Sequence, residues 1–255
     1  MTDNDHLLYE AQNLKGSARK REQMKQRSLK RIVPLLIPLF FPLMAATIAM
    51  ASPPGGEHLI VIDPAHGGTE KGVRLSDRYH EKDVTLNIAL SLQKELNRGG
   101  NIRVQLTRHT DRYIPIPERI RTIRVSHPNL FISLHVNAGF GKNSTGYEVY
   151  FPGFKSTSAG ESDTAEILRD MAKNKYLNDS VRLAQTIQKN MEKVFPRKGR
   201  GLRDAPIPVL TGLSIPAVVL EIGFATNLED KEKIMDEKTQ SAIVQALSTS
   251  IREYF

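Results

Sequence analysis

The sequence contains no cysteine among its 255 residues. That absence excludes disulfide bonds, thiolate metal sites and cysteine nucleophiles. No internal repeat and no low-complexity tract occurs, which excludes a repeat architecture. A Gly-x-Ser-x-Gly motif is also missing, so nothing indicates a serine hydrolase with a nucleophile elbow. What remains is a chain long enough for one domain with a full core, plus an additional N-terminal segment.

Motifs that bind phosphate or nucleic acid are missing as well. The glycine-rich stretch 66–72, HGGTEKG, lacks the Gly-Lys-Ser/Thr end of a phosphate loop and does not run directly into a helix. The formal net charge is +8, and half of it lies in residues 1–31. The remaining excess is mild, and no basic stripe interleaved with aromatic residues accompanies it. We therefore expect no nucleic-acid partner.

The first 51 residues have the composition of an export signal. Residues 1–31 contain eight Lys or Arg side chains against four acids, and an uncharged apolar run follows from Ile32 to Ala51. The run ends in the small-x-small sequence AMA, as secretory signals do. Its three prolines argue against a buried core helix, whereas its length also suits a retained membrane anchor. We expect export to the periplasm with cleavage after Ala51, or alternatively an uncleaved inner-membrane anchor, followed by a linker at 52–58.

Beyond the linker, apolar strand patterns alternate with amphipathic helix patterns. Nearly continuous apolar runs are typical of buried central strands, and a 3.6-residue apolar period is typical of the helices that pack on them. The predicted strands are 58–63, 102–107, 129–136, 146–151 and 216–224, and the predicted helices are 82–97, 118–125, 180–195 and about 230–254. The alternation predicts a single α/β domain over residues 59–255, with a mostly parallel or mixed central sheet flanked by helices on both faces.

Three of these strands end in polar residues that can carry chemistry: His66, His135 and Glu221. In α/β folds, ligands gather beyond the carboxyl ends of the strands, so the three side chains are expected to converge. Two imidazoles and a carboxylate are a natural zinc site, and a catalytic zinc takes three protein ligands. For the third ligand, the residues alone leave two candidates open, Glu81 and its neighbour His80.

Six ordered blocks of the chain resemble one enzyme family. The blocks are IVIDPAHGG, EKDVTLNIALSLQKEL, VQLTRHTDRYIPIPER, NLFISLHVNA, GYEVYF and IPAVVLEIGFATN followed by ED. They are similar to the zinc-dependent N-acetylmuramoyl-L-alanine amidases of type 3, which cleave peptidoglycan. The resemblance implies that one zinc ion is bound by His66, Glu81 and His135, and that Glu221 is the catalytic carboxylate. The implied reaction is hydrolysis of the amide between N-acetylmuramic acid and L-alanine during cell-wall remodelling and daughter-cell separation.

The chain departs from the family pattern in the loop that contains His66. The family usually has glycine before this histidine, where the sequence has Ala65, and residues 69–72 replace the Asp-Pro-Gly that often follows. These are changes of backbone shape rather than of ligand. No targeting domain of the family type precedes the catalytic domain, so the chain resembles the short periplasmic members.

Other residues are candidates for supporting roles. Asp63 could accept a hydrogen bond from a ligand histidine or cap the turn after its strand, and Asn137 could fix the loop after His135. Residues 153–178 resemble the insertion that, in amidases of dividing Gram-negative cells, covers the zinc until an activator protein binds. The resemblance implies a short helix at about 163–173, with Glu166 near the metal in a resting state. A solvated surface helix is the alternative.

Two rival functions use the same residues differently. A zinc carboxypeptidase or endopeptidase would act on another amide, within the stem peptide of peptidoglycan. A non-catalytic wall-binding protein on the same fold would lack metal ligands or Glu221, and all four residues are present. We expect a monomeric hydrolase whose partners are peptidoglycan and an activator protein.

Overall fold

A mixed six-stranded sheet forms the centre of the computed structural model. Its strands are β1 (His58–Pro64), β2 (Ile102–Leu106), β3 (Leu130–Asn137), β4 (Tyr147–Pro152), β5 (Gly199–Ala205) and β6 (Ala217–Phe224). Their order across the sheet is β2-β1-β3-β6-β4-β5. Strands β2, β1, β3 and β6 are mutually parallel, whereas β4 is antiparallel to β6 and parallel to β5. The α/β class and the mixed sheet are as predicted.

The structure describes residue 20 and residues 57–139, 141–153, 164–196 and 198–255, without the side chains of residues 164–174 and 199. The predicted export signal, apart from Lys20, therefore lies outside the described residues, as does most of the predicted linker. Within the described residues, none of the helices combines the length and the hydropathy that crossing a bilayer requires.

Within residues 57–255, the described part of the chain has five helices beside the sheet. They are α1 (Glu81–Asn97), α2 (Ile116–Ser126), α3 (Thr164–Met191), α4 (Leu228–Met235) and α5 (Glu237–Tyr254), and a 3₁₀ turn covers Pro208–Leu210. The larger apolar cluster lies between one face of the sheet and helices α1, α3 and α5. The smaller cluster, with Phe131 and Val219 of the sheet, packs against Ile123 of α2 and Val209 of the 3₁₀ turn. Helices therefore lie on both faces, as predicted, but unequally.

Two predicted helix boundaries were wrong, and one strand was missed. The short helix expected at 163–173 and the helix expected at 180–195 are one continuous helix, α3. The last helix is two helices, because Asp236 adopts an extended conformation and its side chain accepts a hydrogen bond from the backbone N of Thr239 to start α5. Strand β5 was not predicted. Its sequence, GRGLRDA, has two glycines and three charged residues, which is tolerated because it is an edge strand.

Candidate metal centre

The loop after β1 carries His66 in an unusual backbone conformation. Strand β1 ends at Pro64, and the backbone N of Ala65 donates to the carbonyl of Leu134 on β3 (3.1 Å). His66 then has a φ of 59°, in the left-handed region that residues other than glycine rarely adopt. Ala65 has no positive φ. The alanine that departs from the family pattern therefore stands where the backbone does not require glycine.

Glu81 is the first residue of α1 and is 2% exposed. Its Oε2 lies 3.1 Å from Nε2 of His66, and its Oε1 lies 3.1 Å from Nδ1 of His135. The backbone N atoms of Val73 and Val136 donate to the same carboxylate, at 3.0 and 3.1 Å. Burial alone would raise the pKa of Glu81, but the hydrogen bonds to His135 and His66 lower it to about 2. The carboxylate is therefore ionised between two imidazoles.

His80, the rival ligand, has a different contact. It is the N-cap of α1, and its backbone N donates to Oδ2 of Asp83 at 2.9 Å. Its ring Nδ1 lies 4.0 Å from the same carboxylate oxygen. Among the residues that the structure describes, the group able to hold a metal ion contains Glu81 and not His80.

His135 lies on β3 and completes the cluster. Its ring and that of His66 meet edge to face, with centroids 5.7 Å apart. Burial tends to lower the pKa of His135, but the hydrogen bond with Glu81 and the nearby charge of Glu221 raise it above its usual value. The side chain remains 28% exposed, so it borders an accessible site.

The residues of the cluster fit a metal ion. One ligand atom from each of His66, Glu81 and His135 lies within 4.8 Å of the other two. Gly72 passes so close that a Cβ built there would lie 2.6 Å from Cδ2 of His66 and 2.7 Å from Cβ of Glu81. The loop thus leaves the two ligands room only because residue 72 has no side chain. Two neutral imidazoles and a carboxylate suit a divalent transition metal.

Glu221 lies directly beside the cluster. It pairs with His135 across β6 and β3, so both side chains emerge from neighbouring strands at one height. Its Oε2 is buried and has no hydrogen-bond partner within the described part of the chain. Burial raises the pKa of Glu221 to about 7, with the charge of His135 opposing and those of Glu81 and Glu148 adding to the rise. An acid with this pKa can both accept and donate a proton near neutrality.

Two buried arginines hold the loop that carries His66. Arg119 donates to the carbonyl of His66 at 2.6 Å and to Oδ1 of Asp63 at 2.5 Å. Arg108 donates to the carbonyls of Pro64 (2.9 Å) and Ala65 (2.8 Å). Burial and the charge of Arg119 lower the pKa of Arg108 to about 10, so it still carries its charge at neutral pH.

The role expected for Asp63 needs correction. Its carboxylate accepts hydrogen bonds from the hydroxyl groups of Thr107 (2.5 Å) and Ser133 (2.8 Å), and from Arg119. It therefore reaches the loop of His66 through Arg119, and not by binding a ligand imidazole directly. The hydrogen bonds to flanking strands are the reason, because they occupy both carboxylate oxygens.

A second polar group beside Glu221 was largely missed by the sequence analysis. Glu148 on β4 is 4% exposed and lies opposite Glu221 in the antiparallel β4–β6 pair. It accepts hydrogen bonds from Asn137 Nδ2 (2.9 Å), Tyr150 Oη (2.8 Å) and Arg200 Nε (2.9 Å), and it forms an ion pair with Arg203. Asn137 also accepts from the backbone N of Gly139 (2.8 Å), so it does brace the chain after His135. Arg200 and Arg203 lie on strand β5, which was not predicted, so no signal in the sequence indicated that they contact Glu148.

The side chain of Glu166 is not among those described, and its predicted position near the metal stays a prediction. The direction of α3 bears on where Glu166 lies along the sheet. The hydroxyl of Ser180 accepts from the backbone N of Ala217, where β6 begins, and the carbonyl of Gln188 accepts from Tyr147, where β4 begins. Helix α3 thus runs towards the edge of the sheet that holds the candidate metal ligands. Its first residues lie at the other end of the helix, away from that edge.

Known proteins resemble this chain in sequence and in structure. Residues 60–253 match the protein family described as N-acetylmuramoyl-L-alanine amidase. The "Probable cell wall amidase LytH" of Staphylococcus epidermidis is 31% identical over 209 residues, which are 81% of this chain and 62% of LytH. The amidase AmiC of Escherichia coli is 25% identical over 219 residues, 77% of this chain and 52% of AmiC. The chain therefore spans only about half to two thirds of the length of these two relatives.

Solved amidase structures share the fold. The catalytic domain of CwlV, an N-acetylmuramoyl-L-alanine amidase from Bacillus (Paenibacillus) polymyxa var. colistinus, has a TM-score of 0.64 at 25% identity, over 77% of this chain and 97% of that one. The CwlD amidase from Clostridioides difficile, solved in complex with the GerS lipoprotein, also has a TM-score of 0.64, at 26% identity over 78% of this chain and 98% of that one.

Proposed function

This chain belongs to the N-acetylmuramoyl-L-alanine amidase family, and from that membership we propose that it is a zinc-dependent hydrolase of the amide between N-acetylmuramic acid and L-alanine in peptidoglycan. The observation that supports the proposal is the cluster of His66, Glu81 and His135 beside the buried carboxyl group of Glu221. These elements are a metal site and a proton acceptor at one edge of the sheet. Together they can polarise the carbonyl group of an unreactive amide and activate the attacking water.

Zinc is the ion that this ligand set favours. Catalytic zinc sites use three protein ligands and leave a fourth position open, and His₂Glu is one of the usual combinations. His66, Glu81 and His135 would hold the ion, with Glu81 already ionised by its two imidazole neighbours. When bound, such an ion acts as a Lewis acid on the scissile carbonyl group and on water.

Glu221 is assigned the proton transfers. Its buried carboxylate accepts a proton from the water that attacks the carbonyl carbon, and it delivers that proton to the nitrogen of L-alanine as the C–N bond breaks. A pKa of about 7 lets one group do both near neutral pH. The Oε2 atom, which lacks a partner in the described structure, is available for this exchange.

Arg119 and Arg108 are positioning residues in this scheme. They donate to the carbonyls of residues 64–66 and so fix the backbone that carries His66 in its left-handed conformation. Such contacts behind metal ligands set the orientation of the ligand and hence the affinity for the ion.

The cellular setting is part of the proposal. The basic segment and apolar run of residues 1–51 support export, so we place the enzyme in the periplasm, where peptidoglycan lies. Cell-wall remodelling and daughter-cell separation are the processes that such a reaction serves. An activator protein is proposed as a partner from the resemblance alone, and the direction of α3 argues against residues 153–178 as the cover that it would displace.

One experiment tests the reaction. The full chain is incubated with purified sacculi, with and without a chelator, and the released fragments are identified by mass. An amidase releases intact stem peptides and leaves bare glycan strands, and the chelator stops it. Shortened peptides still attached to glycan would instead show a carboxypeptidase or endopeptidase. Digestion by the Glu221→Gln variant at the wild-type rate would refute the role of Glu221.

A further inference from the structure

We propose that Arg200 and Arg203 form a subsite for a carboxylate of the stem peptide, and thereby select the substrate of this amidase. The inference rests on the proposed function, because it names a part of the same substrate. It starts from a row of side chains on four neighbouring strands. His135 on β3, Glu221 on β6 and Glu148 on β4 lie in register, and Arg200 on β5 binds Glu148.

The row lies on one face of the sheet. Side chains at alternate positions of a strand share a face, so Tyr150 lies on the face of Glu148, and Arg203 pairs with Tyr150 across β4 and β5. The hydroxyl group of Tyr150 donates to Glu148 (2.8 Å), which confirms that the two side chains meet. Arg200 also lies over the ring of Phe224, at 5.2 Å from the guanidinium carbon to the ring centroid. Phe224 ends β6 on the edge of the sheet that carries the metal ligands, so Arg200 borders the active site.

The charges of Glu148, Arg200 and Arg203 do not cancel. Glu148 is one carboxylate, and both Arg200 and Arg203 contact its Oε1 through their Nε atoms, at 2.9 and 3.2 Å. Within these three side chains one positive charge is left over. Each arginine contacts Glu148 through Nε, which leaves the two terminal nitrogens of its guanidinium group able to bind another acceptor. The side chains are 38% and 46% exposed, and the acid that orients them is buried.

The substrate has a group that matches this surplus. Once the lactyl carboxyl group is bound in the amide, the sugar side of the cleaved bond carries no charge of its own. The anionic groups of the fragment are the carboxylates of the peptide. Arginine binds carboxylates through paired, charge-assisted hydrogen bonds. A peptide that leaves the metal centre across β6 and β4 would bring a carboxylate of its second or third residue to the arginine pair.

Synthetic substrates distinguish a carboxylate on the second residue of the stem peptide from one on the third. One pair is N-acetylmuramoyl-L-alanyl-D-isoglutamate and the corresponding isoglutamine compound, which differ only in a carboxylate on the second residue. The other pair is a tripeptide that ends in diaminopimelate, with its side-chain carboxylate free or amidated. We expect the zinc-loaded full chain to prefer the free acid about tenfold in kcat/KM in one of the pairs. The pair that shows the preference identifies the residue.

The variants Arg200→Gln and Arg203→Gln each leave Glu148 one arginine partner. We expect each to raise KM for the free acid about tenfold, to leave kcat within about twofold, and to leave the amidated substrate unaffected. Arg203→Lys should keep part of the preference. Arg98→Gln, on an arginine that is 65% exposed and paired with Glu95 on α1, is the matched control and should change nothing.

The outcomes separate this inference from the proposed function. If the wild type cleaves both members of both pairs equally, or if the arginine variants slow both members alike, the subsite is refuted and the amidase activity stands. If the wild type cleaves neither sacculi nor any of the four compounds at this amide, the proposed function fails and the subsite fails with it. Binding of the four compounds to the Glu221→Gln variant, measured by calorimetry, should show the same preference without turnover.

Discussion

Arg119 donates a 2.6 Å hydrogen bond to the carbonyl oxygen of His66, although the two residues are 53 positions apart in the chain. The other terminal nitrogen of Arg119 binds Asp63. A candidate ligand of the metal centre is therefore held through its backbone by a buried ion pair. Because removal of one partner from a buried pair leaves the other charge uncompensated, this contact makes the metal loop sensitive to substitution at position 119.

Arg119→Lys should lower the affinity for zinc as well as the free energy of unfolding. Lysine keeps the charge but cannot reach Asp63 and the carbonyls of residues 64 and 66 at once. We expect the free energy of unfolding to fall by about 1–3 kcal/mol and the affinity for zinc to fall about tenfold or more. Competition with a chromophoric chelator measures the affinity. Arg121→Lys, an exposed arginine of the same helix, is the control, and equal effects in the two variants would contradict the prediction.

Gly72→Ala should abolish tight zinc binding. A Cβ at this position would collide with His66 and Glu81, and φ is +66°. Gly100→Ala is a matched control, because its φ is +78° but nothing lies within 4 Å of the added carbon. Both variants should lose about 1–2 kcal/mol of stability from the left-handed backbone. Only Gly72→Ala should lose the ion in the same chelator competition, and retention of normal affinity would show that the ligands do not need this space.

Glu221→Gln should stabilise the metal-free protein, but only at higher pH. The folded-state pKa is raised to about 7 from 4.5, so ionisation of this acid costs stability in the folded state. The cost is absent below pH 4.5, grows between pH 4.5 and 7, and is complete above 7. The variant removes it, and we expect a gain of about 2 kcal/mol at pH 8 with little difference in this respect at pH 4.5. Denaturant unfolding at the two pH values measures the gain, and a gain that does not depend on pH would count against the shifted pKa.

Deletion of residues 160–175 tests the regulatory segment. The family resemblance predicts higher basal activity after deletion, because a cover over the zinc would be lost. The direction of α3 predicts no change, since its first residues lie at the end of the helix remote from the metal ligands. We expect unchanged release of peptides from sacculi, with the buried Leu177 and Leu183 keeping the rest of α3 in place. A several-fold rise in a variant that still unfolds cooperatively at the wild-type denaturant midpoint would restore the cover as the explanation.

The sequence predicted those parts of the fold that depend on local pattern. Apolar runs located β1, β3 and β6, and the positions just after them located His66, His135 and Glu221. The same pattern could not decide between Glu81 and His80, because they are adjacent and the choice depends on how α1 starts against β3. The resemblance to the family made that choice, and the structure places Glu81 between the two imidazoles.

The arginine pair was beyond prediction for a different reason. Strand β5 has no apolar run, and its place in the sheet depends on pairing with β4, about 50 residues earlier in the chain. Arg119 and Asp63 pose the same difficulty, since ion pairs between distant segments leave no local signal. The partners of a charged residue became visible only when the strands were placed side by side.

The row from His135 to Arg200 spans a fixed distance from strand β3 to strand β5. Neighbouring strands are about 4.8 Å apart, so three spacings put the backbone of β5 about 14 Å from that of β3. Hydrogen bonds between strands fix this length, whereas a distance set by loops could drift. A positive charge moved from β5 to β4 would shorten the reach by one spacing, roughly the advance of one to two residues of extended peptide. The spacing of the strands would thus determine how far from the cleaved bond a charged residue of the stem peptide must lie.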